Sequence, residues 1–267
     1  MSKSAIKIGL LSVDNPKDKR VSSGTLYTIS QNLERIGTVK WISVNLSHGY
    51  KFSIFLAKVL GKLLHRNIVF GHTSVGANLI ASCIDKRSFD GCDVVIAYWS
   101  GSYFGRLDIN KVPSIYVSDA VFPSMIDYYP SFTDLFKWNI RQGCRLEKNT
   151  MDKADAVVFS SDWAKKSAVN FLGQLPDKIH VIEFGANISE KDLKRMPKKN
   201  NGQLELLFLG VEWIRKGGDI AIAATKWLND NGIPTVLNIV GIKELDSSIT
   251  DLPYVNNIGF LNKNNPK

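Results

Sequence analysis

The sequence has few of the residues that crosslink small proteins or bind metals. It contains 3 cysteines and 4 histidines in 267 residues. Cys83, Cys92 and Cys144 have no Cys-x-x-Cys spacing and cannot all pair, which favours a reducing compartment. The histidines show no close-ligand spacing, so we expect no metal site. A chain of this length can bury roughly 70–75% of its unfolded surface and needs no disulfides to fold.

Long apolar runs are also missing. No stretch of about 18 uninterrupted apolar residues occurs, so we expect no membrane-spanning helix. The start Met-Ser-Lys-Ser leads directly into the strand-like run 5–13, without the long apolar core of a secretory signal. These features predict a cytoplasmic protein, which could bind the inner face of the membrane.

Several common catalytic and binding motifs are absent. The loop 12–25 after the first apolar run has no Gly-x-Gly-x-x-Gly fingerprint, and the chain has no Walker A loop. There is no Gly-x-Ser-x-Gly elbow, so α/β-hydrolase chemistry is unsupported. No Asp-x-Asp occurs, which argues against a nucleotide-sugar site bridged by a metal.

Basic residues exceed acidic ones. The formal net charge is +9, of which residues 1–188 carry +7. A basic surface favours anionic partners such as nucleotide phosphates or acidic lipid headgroups. No recognition-helix, zinc-finger or RNP-like pattern is present, so we expect no specific nucleic-acid partner.

Short apolar runs alternate with segments of helical periodicity along the whole chain. This pattern predicts an α/β protein with parallel sheets covered on both faces. The polar segment 189–203 interrupts the alternation and predicts a linker between a first domain, 1–188, and a second, 204–267. The predicted strands are 5–13, 39–44, 93–98, 112–118, 155–159, 179–183, 204–210 and 234–241. The predicted helices are 24–36, 52–65, 74–88, 132–153, 162–172 and 216–230.

Two loops open predicted helices and could bind anions. The first contains Ser22, Ser23, Gly24 and Thr25, and a helix N-terminus there could cradle an anion. An ordinary loop with Ser22 or Ser23 as the N-cap is an equal alternative. The second is 209–219, where Arg215 and Lys216 lie beside glycines at the carboxyl end of a strand. Phosphate binding and a solvated charged pair both fit this second loop.

The segment 50–66 predicts an amphipathic helix with basic flanks. Apolar residues recur at helical spacing from Phe52 to Leu64, and lysines accompany them. Such a helix could lie on an anionic membrane. Covering one face of a sheet is the alternative.

Together these segments resemble the retaining GT-B glycosyltransferases of family 4. The loop and helix at 22–37 resemble that family's acceptor-side loop, and 112–130 resembles a subgroup with a Ser-Asp-Ala-Thr-Phe core before Tyr-Tyr-Pro. The segments 154–167 and 178–187 resemble its last strand–helix–strand and inter-domain crossing. Trp213-Ile-Arg-Lys-Gly-Gly-Asp219 resembles its phosphate-binding turn.

The resemblance implies two Rossmann-like domains, the first for an acceptor and the second for a UDP- or GDP-sugar, without a metal or other cofactor. It implies transfer of a hexose, with retention, to a glycan or lipid-linked acceptor. Asp119 and Lys216 are the catalytic candidates that it implies, although Asp119 as a helix N-cap is an equal alternative. The donor- and phosphate-binding candidates are Gly210, Arg215, Lys216, Gly217, Gly185 and Asn187. Gly185 could equally be a turn residue.

The second domain departs from the family pattern. Family members carry a Glu-x7-Glu pair later in this domain, and no such spacing occurs here. We therefore expect a C-terminally truncated enzyme with an incomplete second domain, inactive as this chain alone. The alternative is a non-catalytic fragment that binds a partner or a membrane surface through the first domain.

Overall fold

In the computed structural model of the chain, the described residues are 5–188 and 202–262. They belong to two compact units divided between Asn187 and Ile188. Most of the predicted linker, 189–201, lies outside the described residues. The predicted domain bounds therefore stay a prediction.

The first unit contains a six-stranded parallel sheet in the order β2-β1-β3-β4-β5-β6. The runs rich in Val, Ile and Leu form these strands because they can be buried on both faces. β1 lies between β2 and β3, so the direction of winding reverses beside β1. The strands are β1 (Ile6–Ser12), β2 (Gly37–Ser43), β3 (Val94–Tyr98), β4 (Ser114–Ser118), β5 (Ala156–Phe159) and β6 (Ile179–Val181).

Helices connect these strands. Their ends follow local signals: Ser161 caps α6 by accepting a hydrogen bond from the Ala164 N–H, and Gly173 ends it in the left-handed conformation. The helices are α1 (Thr25–Leu33), α2 (His48–Leu63), α3 (Ser74–Ser82), α4 (Phe122–Met125), α5 (Lys137–Lys153) and α6 (Asp162–Leu172).

Separate clusters of buried apolar side chains pack the first unit. The larger one includes Phe89, Phe104 and Met151. The smaller one contains Leu10, Leu26 and other residues that pack with α1. Apolar cover of this kind is what a parallel sheet requires.

The second unit contains a three-stranded parallel sheet in the order β7-β8-β9. Its core consists of Phe208, Leu237, Ile239 and Ile242, against which α7 packs. Its elements are β7 (Leu204–Leu209), α7 (Gly218–Asp230), β8 (Thr235–Val240), α8 (Ser247–Thr250) and β9 (Val255–Gly259).

The predicted α/β class with parallel, Rossmann-like sheets is confirmed. The eight predicted strands all form, with ends that differ by at most a few residues. Some helices are shorter than their periodicity suggested: α3 ends at Ser82 and α5 begins at Lys137. β9 had no apolar run to predict it, because its sequence is Val-Asn-Asn-Ile-Gly.

Candidate functional site

The carboxyl ends of β1, β3 and β4 bring chemically reactive side chains to one edge of the first sheet. Asp14 follows β1, Tyr98 and Trp99 end β3, and Asp119 follows β4. In open α/β sheets, ligands bind outside this edge where the winding reverses. The reversal lies between β1 and β3, so these side chains surround the expected ligand position.

The predicted acceptor-side loop adopts an unusual backbone at this edge. Ser22, Ser23 and Gly24 have φ values of 48°, 57° and 95°, all in the left-handed region. Helix α1 then begins at Thr25 with Gly24 as its N-cap, and no side chain caps it. The alternative that Ser22 or Ser23 is the N-cap is therefore wrong. Non-glycine residues in this conformation cost free energy and concentrate at functional sites.

Asn187 ties the predicted crossing segment to this loop. Its side-chain Nδ2 donates to the Ser23 carbonyl oxygen at 3.2 Å and to Thr25 Oγ1 at 3.0 Å. A Cβ at Gly24 would lie 3.4 Å from Asn187 Cβ, so the two segments touch. Two segments that the sequence separates by more than 160 residues thus meet at the carboxyl edge of the sheet. Around Gly185, in the same crossing segment, no atom of the described residues beyond its chain neighbours lies within 4 Å of the Cβ position.

Tyr98 and Ser22 bring two unsatisfied hydroxyl groups to this position. Both hydroxyl oxygens are buried and have no hydrogen-bond partner of good geometry among the described residues. Burial raises the pKa of Tyr98 to about 12; the adjacent Ser22 hydroxyl opposes this shift, and the charges of Asp119 and Asp14 add to it. Buried polar groups without partners are costly and are rare in proteins. A polar ligand at this edge would satisfy them.

Asp119 has the surroundings of a reactive carboxyl group. The residue as a whole is exposed, yet desolvation raises the pKa of its carboxyl group, opposed by its own N–H, the Trp99 side chain and the Ala120 N–H. Because Asp119 is exposed to solvent, it can reach a ligand. Helix α4 has Val121 as its N-cap. The alternative that Asp119 caps a helix is therefore wrong.

Trp99 is a site residue that sequence reasoning missed. It has a φ of 48°, is 43% exposed, and stacks on the Tyr98 ring at 5.1 Å between ring centroids. A bulky side chain in the left-handed region is a clear outlier. The available signal was the aromatic pair Tyr98-Trp99 at the end of a predicted strand, followed by Ser-Gly-Ser.

A buried carboxyl group supports the loop that carries Asp119. Glu147 on α5 accepts hydrogen bonds from the Tyr116 hydroxyl at 2.8 Å and from the Phe122 N–H. Burial raises the pKa of Glu147 to about 7. No sequence pattern indicates this role, because Glu147 lies within a helix of otherwise ordinary polar composition.

The second unit brings its predicted residues to the carboxyl ends of its strands. Gly210 follows β7 and Gly241 follows β8, and a Cβ at Gly241 would lie 2.5 Å from the Gly210 carbonyl oxygen. With a φ of 105°, Gly241 also has a backbone that favours glycine. The two glycine backbones therefore pack directly against each other at this part of the edge, with the Lys216 side chain beside Gly210.

The basic pair of the second unit has two different environments. Arg215 makes a two-bond ion pair with Glu212, with both nitrogen–oxygen distances at 2.8 Å. Lys216 lies over Gly210, and its Nζ makes no hydrogen bond or ion pair within the described ranges. Gly217, with a φ of 75°, is the N-cap of α7. Lys216 is therefore the cation better placed to meet a phosphate.

Helix α2 presents its apolar face to solvent. Its buried residues are Tyr50, Ala57 and Gly61, which form a narrow inner stripe. Tyr50 belongs to the core of the first unit and Ile54 packs against it, so the helix covers this core in part, whereas its other large apolar residues are 42–72% exposed. They are Phe52, Phe55, Leu56, Val59, Leu60 and Leu63.

The described residues contain no cluster of three or more His, Cys, Asp or Glu side chains that could hold a metal ion. Among the helices in these ranges, none is long and apolar enough to cross a bilayer. The predicted absence of a metal stays a prediction.

Comparisons with known proteins give only distant similarities. No protein-family model matches the chain, and no curated protein matches its sequence. Among solved structures, the chain is similar to TarM (13% identity, 64% of this chain, 33% of that chain, TM-score 0.44). It is also similar to UDP-N-acetylglucosamine 2-epimerase from Rickettsia bellii (10% identity, 96% of this chain, 68% of that chain, TM-score 0.43). A third similar structure is the glycosyltransferase SnogD from Streptomyces nogalater (11% identity, 97% of this chain, 74% of that chain, TM-score 0.45). The match spans a third of the length of TarM. At these values the similarity assigns no family to the chain.

Proposed function

We propose that the protein is a retaining GT-B glycosyltransferase that moves a hexose from a nucleotide-diphosphate sugar to a glycan or lipid-linked acceptor. The observation that carries the proposal is the contact of Asn187 with Ser23 and Thr25. It joins two segments that resemble the acceptor-side loop and the inter-domain crossing of that family. The unsatisfied hydroxyls of Tyr98 and Ser22 beside them support a ligand rich in hydroxyl groups.

In this proposal the first unit holds the acceptor. Asp119 contacts the acceptor hydroxyl or the donor sugar. Trp99 offers an exposed aromatic face on which the apolar side of a sugar ring can stack. The Tyr98 hydroxyl stays protonated at neutral pH and donates a hydrogen bond.

The second unit holds the donor in this proposal. Negative charge develops on the leaving diphosphate, and Lys216 stabilises it together with the N-terminus of α7. Gly210 and Gly217 allow the phosphates to approach the backbone. Arg215, paired with Glu212, positions the turn.

The donor role of Lys216 can be tested by calorimetric titration of the full chain with UDP and GDP. Lys216→Ala is expected to weaken binding roughly 10- to 100-fold, because a hydrogen bond to a charged group contributes about 1.5–3 kcal/mol. Where transfer is measurable, kcat/KM should fall roughly 10²–10³-fold. Lys226→Ala is the matched control, since Lys226 pairs with Asp230 on the exposed face of α7. Equal affinity in both variants would contradict the proposed role.

We also propose that the acceptor is reached at a membrane surface, through the segment 50–66. The outward apolar face of α2 and its lysines support this partner. In this proposal the protein is cytoplasmic and binds the inner face of the membrane through α2. Binding to lipid vesicles tests this contact independently of any transfer activity.

A further inference from the structure

A cavity of about 530 Å³ lies at the carboxyl end of α2, where Ala57 and Gly61 of the inner stripe and the lysine row of the helix line it. Its charged lining consists of Lys58, Lys62, Arg66 and Asp134, together with His65. Three permanent cations therefore face one carboxylate. No ion pair of Lys58 or Lys62 occurs in the described part of the chain.

The end of α2 holds this basic group in a fixed arrangement. The Arg66 N–H donates to the Gly61 carbonyl oxygen at 2.9 Å, and the His65 N–H donates to that of Lys62 at 3.4 Å. His65 has a φ of 49°, so the helix ends in a Schellman-type turn. A Cβ at Gly61 would lie 2.5 Å from the Arg66 carbonyl oxygen. Gly61 thus lets the chain fold back and place His65 and Arg66 beside the two lysines.

Contacts on the far side of the cavity anchor Arg66 and its neighbour. Arg66 Nη1 donates to the Leu135 carbonyl oxygen at 3.3 Å, and its guanidinium lies 5.6 Å from the Phe136 ring centroid. The Asn67 side chain donates to the carbonyl oxygens of Pro130 and Thr133. The cavity is therefore built between two segments of the first unit.

The apolar face and the lysines occupy adjacent sides of the helix. Phe52, Phe55, Val59 and Leu63 recur at spacings of three and four residues, while Lys51, Lys58 and Lys62 follow a neighbouring row. A surface-bound helix combines this apolar face with a basic border. Lysine stems can lie along lipid while their ammonium groups remain at the level of the phosphates.

We propose that this cavity binds the phosphate of an anionic phospholipid headgroup while the outer face of α2 enters the acyl boundary. The occupant is a lipid, because Lys58 and Lys62, which line the cavity, lie in the row of α2 next to an exposed apolar face that a water-soluble phosphate ester would leave uncovered. The inference rests on the proposed membrane contact of α2 and does not depend on glycosyl transfer. It adds a defined headgroup site to a general surface attraction.

The test measures binding of the full chain to vesicles by co-sedimentation. One set of vesicles contains phosphatidylcholine only, and the other also contains phosphatidylglycerol. Binding is expected to require the anionic lipid. Replacing Lys58 and Lys62 together by glutamine should weaken it about 30-fold, since each basic residue near such a surface contributes about fivefold.

The matched control replaces Lys40 and Lys166 by glutamine, which removes the same charge from exposed positions on β2 and α6. It should weaken vesicle binding far less than the cavity variant. Equal losses would show a diffuse attraction and overturn the headgroup site. Absence of vesicle binding by the unaltered chain would overturn the membrane contact as well.

Two further arms separate other occupants. Inorganic phosphate at concentrations that leave the vesicles intact should not displace the chain, and complete displacement would identify a free phosphate site instead. Phe55→Ser with Leu63→Ser should abolish vesicle binding while the monomeric state is unchanged. If the unaltered chain forms a dimer that this variant dissociates, the face is an interface between copies and the proposal is wrong.

Discussion

Glu147 is buried in the first unit and links three structural elements. It receives hydrogen bonds from Tyr116 on β4 and from the Phe122 N–H at the start of α4, and a Cβ at Gly101 would lie 2.8 Å from its Oε1. An ionised carboxylate there has lost its water, which raises its pKa from 4.5 to about 7. Protonation of this group is therefore coupled to folding.

The stability of the protein should depend on pH through Glu147. Between pH 4.5 and about 7, the folded state retains a proton at Glu147 that the unfolded chain releases. The free energy of unfolding consequently falls as pH rises through this range, by up to about 3 kcal/mol. Glu147→Gln should remove this part of the pH dependence, as measured by urea unfolding at several pH values.

His72 makes the comparison with the variant necessary. It is half-buried with a buried Nδ1, stacks on Phe122 at 4.5 Å between centroids, and desolvation lowers its pKa to about 4. Its folded state releases a proton that the unfolded chain retains, so its contribution to stability rises with pH up to about 6.5. The two opposing slopes overlap, and only the difference between Glu147→Gln and the unaltered chain isolates Glu147. Identical pH profiles of the two proteins would contradict the prediction.

At the scale of elements, Asn187 determines how the crossing segment meets the start of α1. Its two hydrogen bonds hold the left-handed Ser23 and the first residue of α1. Asn187→Ala should cost about 1 kcal/mol of stability, because these bonds are exposed to solvent. The larger effect should be local, namely faster hydrogen exchange of the backbone amides in residues 22–28.

Asn170 supplies the control for this change. It is exposed on α6, and Asn170→Ala also converts asparagine to alanine in the first unit. Exchange at 22–28 should stay unchanged in that variant. If Asn187→Ala leaves the exchange at 22–28 as slow as in the unaltered chain, the contact does not hold the loop.

The strands were predictable because their residues are apolar almost without interruption. β1 and β3 are buried on both faces, so their runs of Val, Ile and Leu are enough to identify them as strands. β9 lies at the edge of its sheet and has two asparagines, so its strand state depends on pairing with β8. A strand that forms mainly because it pairs with a neighbouring strand has little strand-like pattern in its own sequence.

The periodicity of α2 predicted a helix but left open which of its faces packs inward. Large apolar residues define the stronger stripe, whereas the face that packs inward contains Tyr50, Ala57 and Gly61. Gly61 is inward because the returning chain at Arg66 leaves no room for a side chain. The candidate site was also not predictable from local sequence, because Tyr98 and Ser22 become neighbours only through the order of the strands. Local sequence patterns do not show contacts between residues that are far apart in the chain.

At the scale of the whole molecule, the two units differ in how well their sheets are covered. The first has six strands with buried apolar clusters and its own polar edge. In the second, α7 and α8 pack with one face of the sheet. On the other face, Leu207 and Leu209 are each 65% exposed.

This difference predicts distinct folding behaviour for fragments of the chain. A fragment that ends at Asn187 should unfold in one cooperative thermal transition, because its core and the Asn187 contacts lie within it. A fragment that begins at Gly202 should show no such transition, since its fully packed core has four buried apolar residues. At this size a single core rarely supplies more than about 3–5 kcal/mol. Calorimetry and circular dichroism of both fragments test this. A sharp transition in the second fragment would mean that its exposed leucines are covered by self-association, which sedimentation would reveal, or that three strands and α7 suffice for a stable fold.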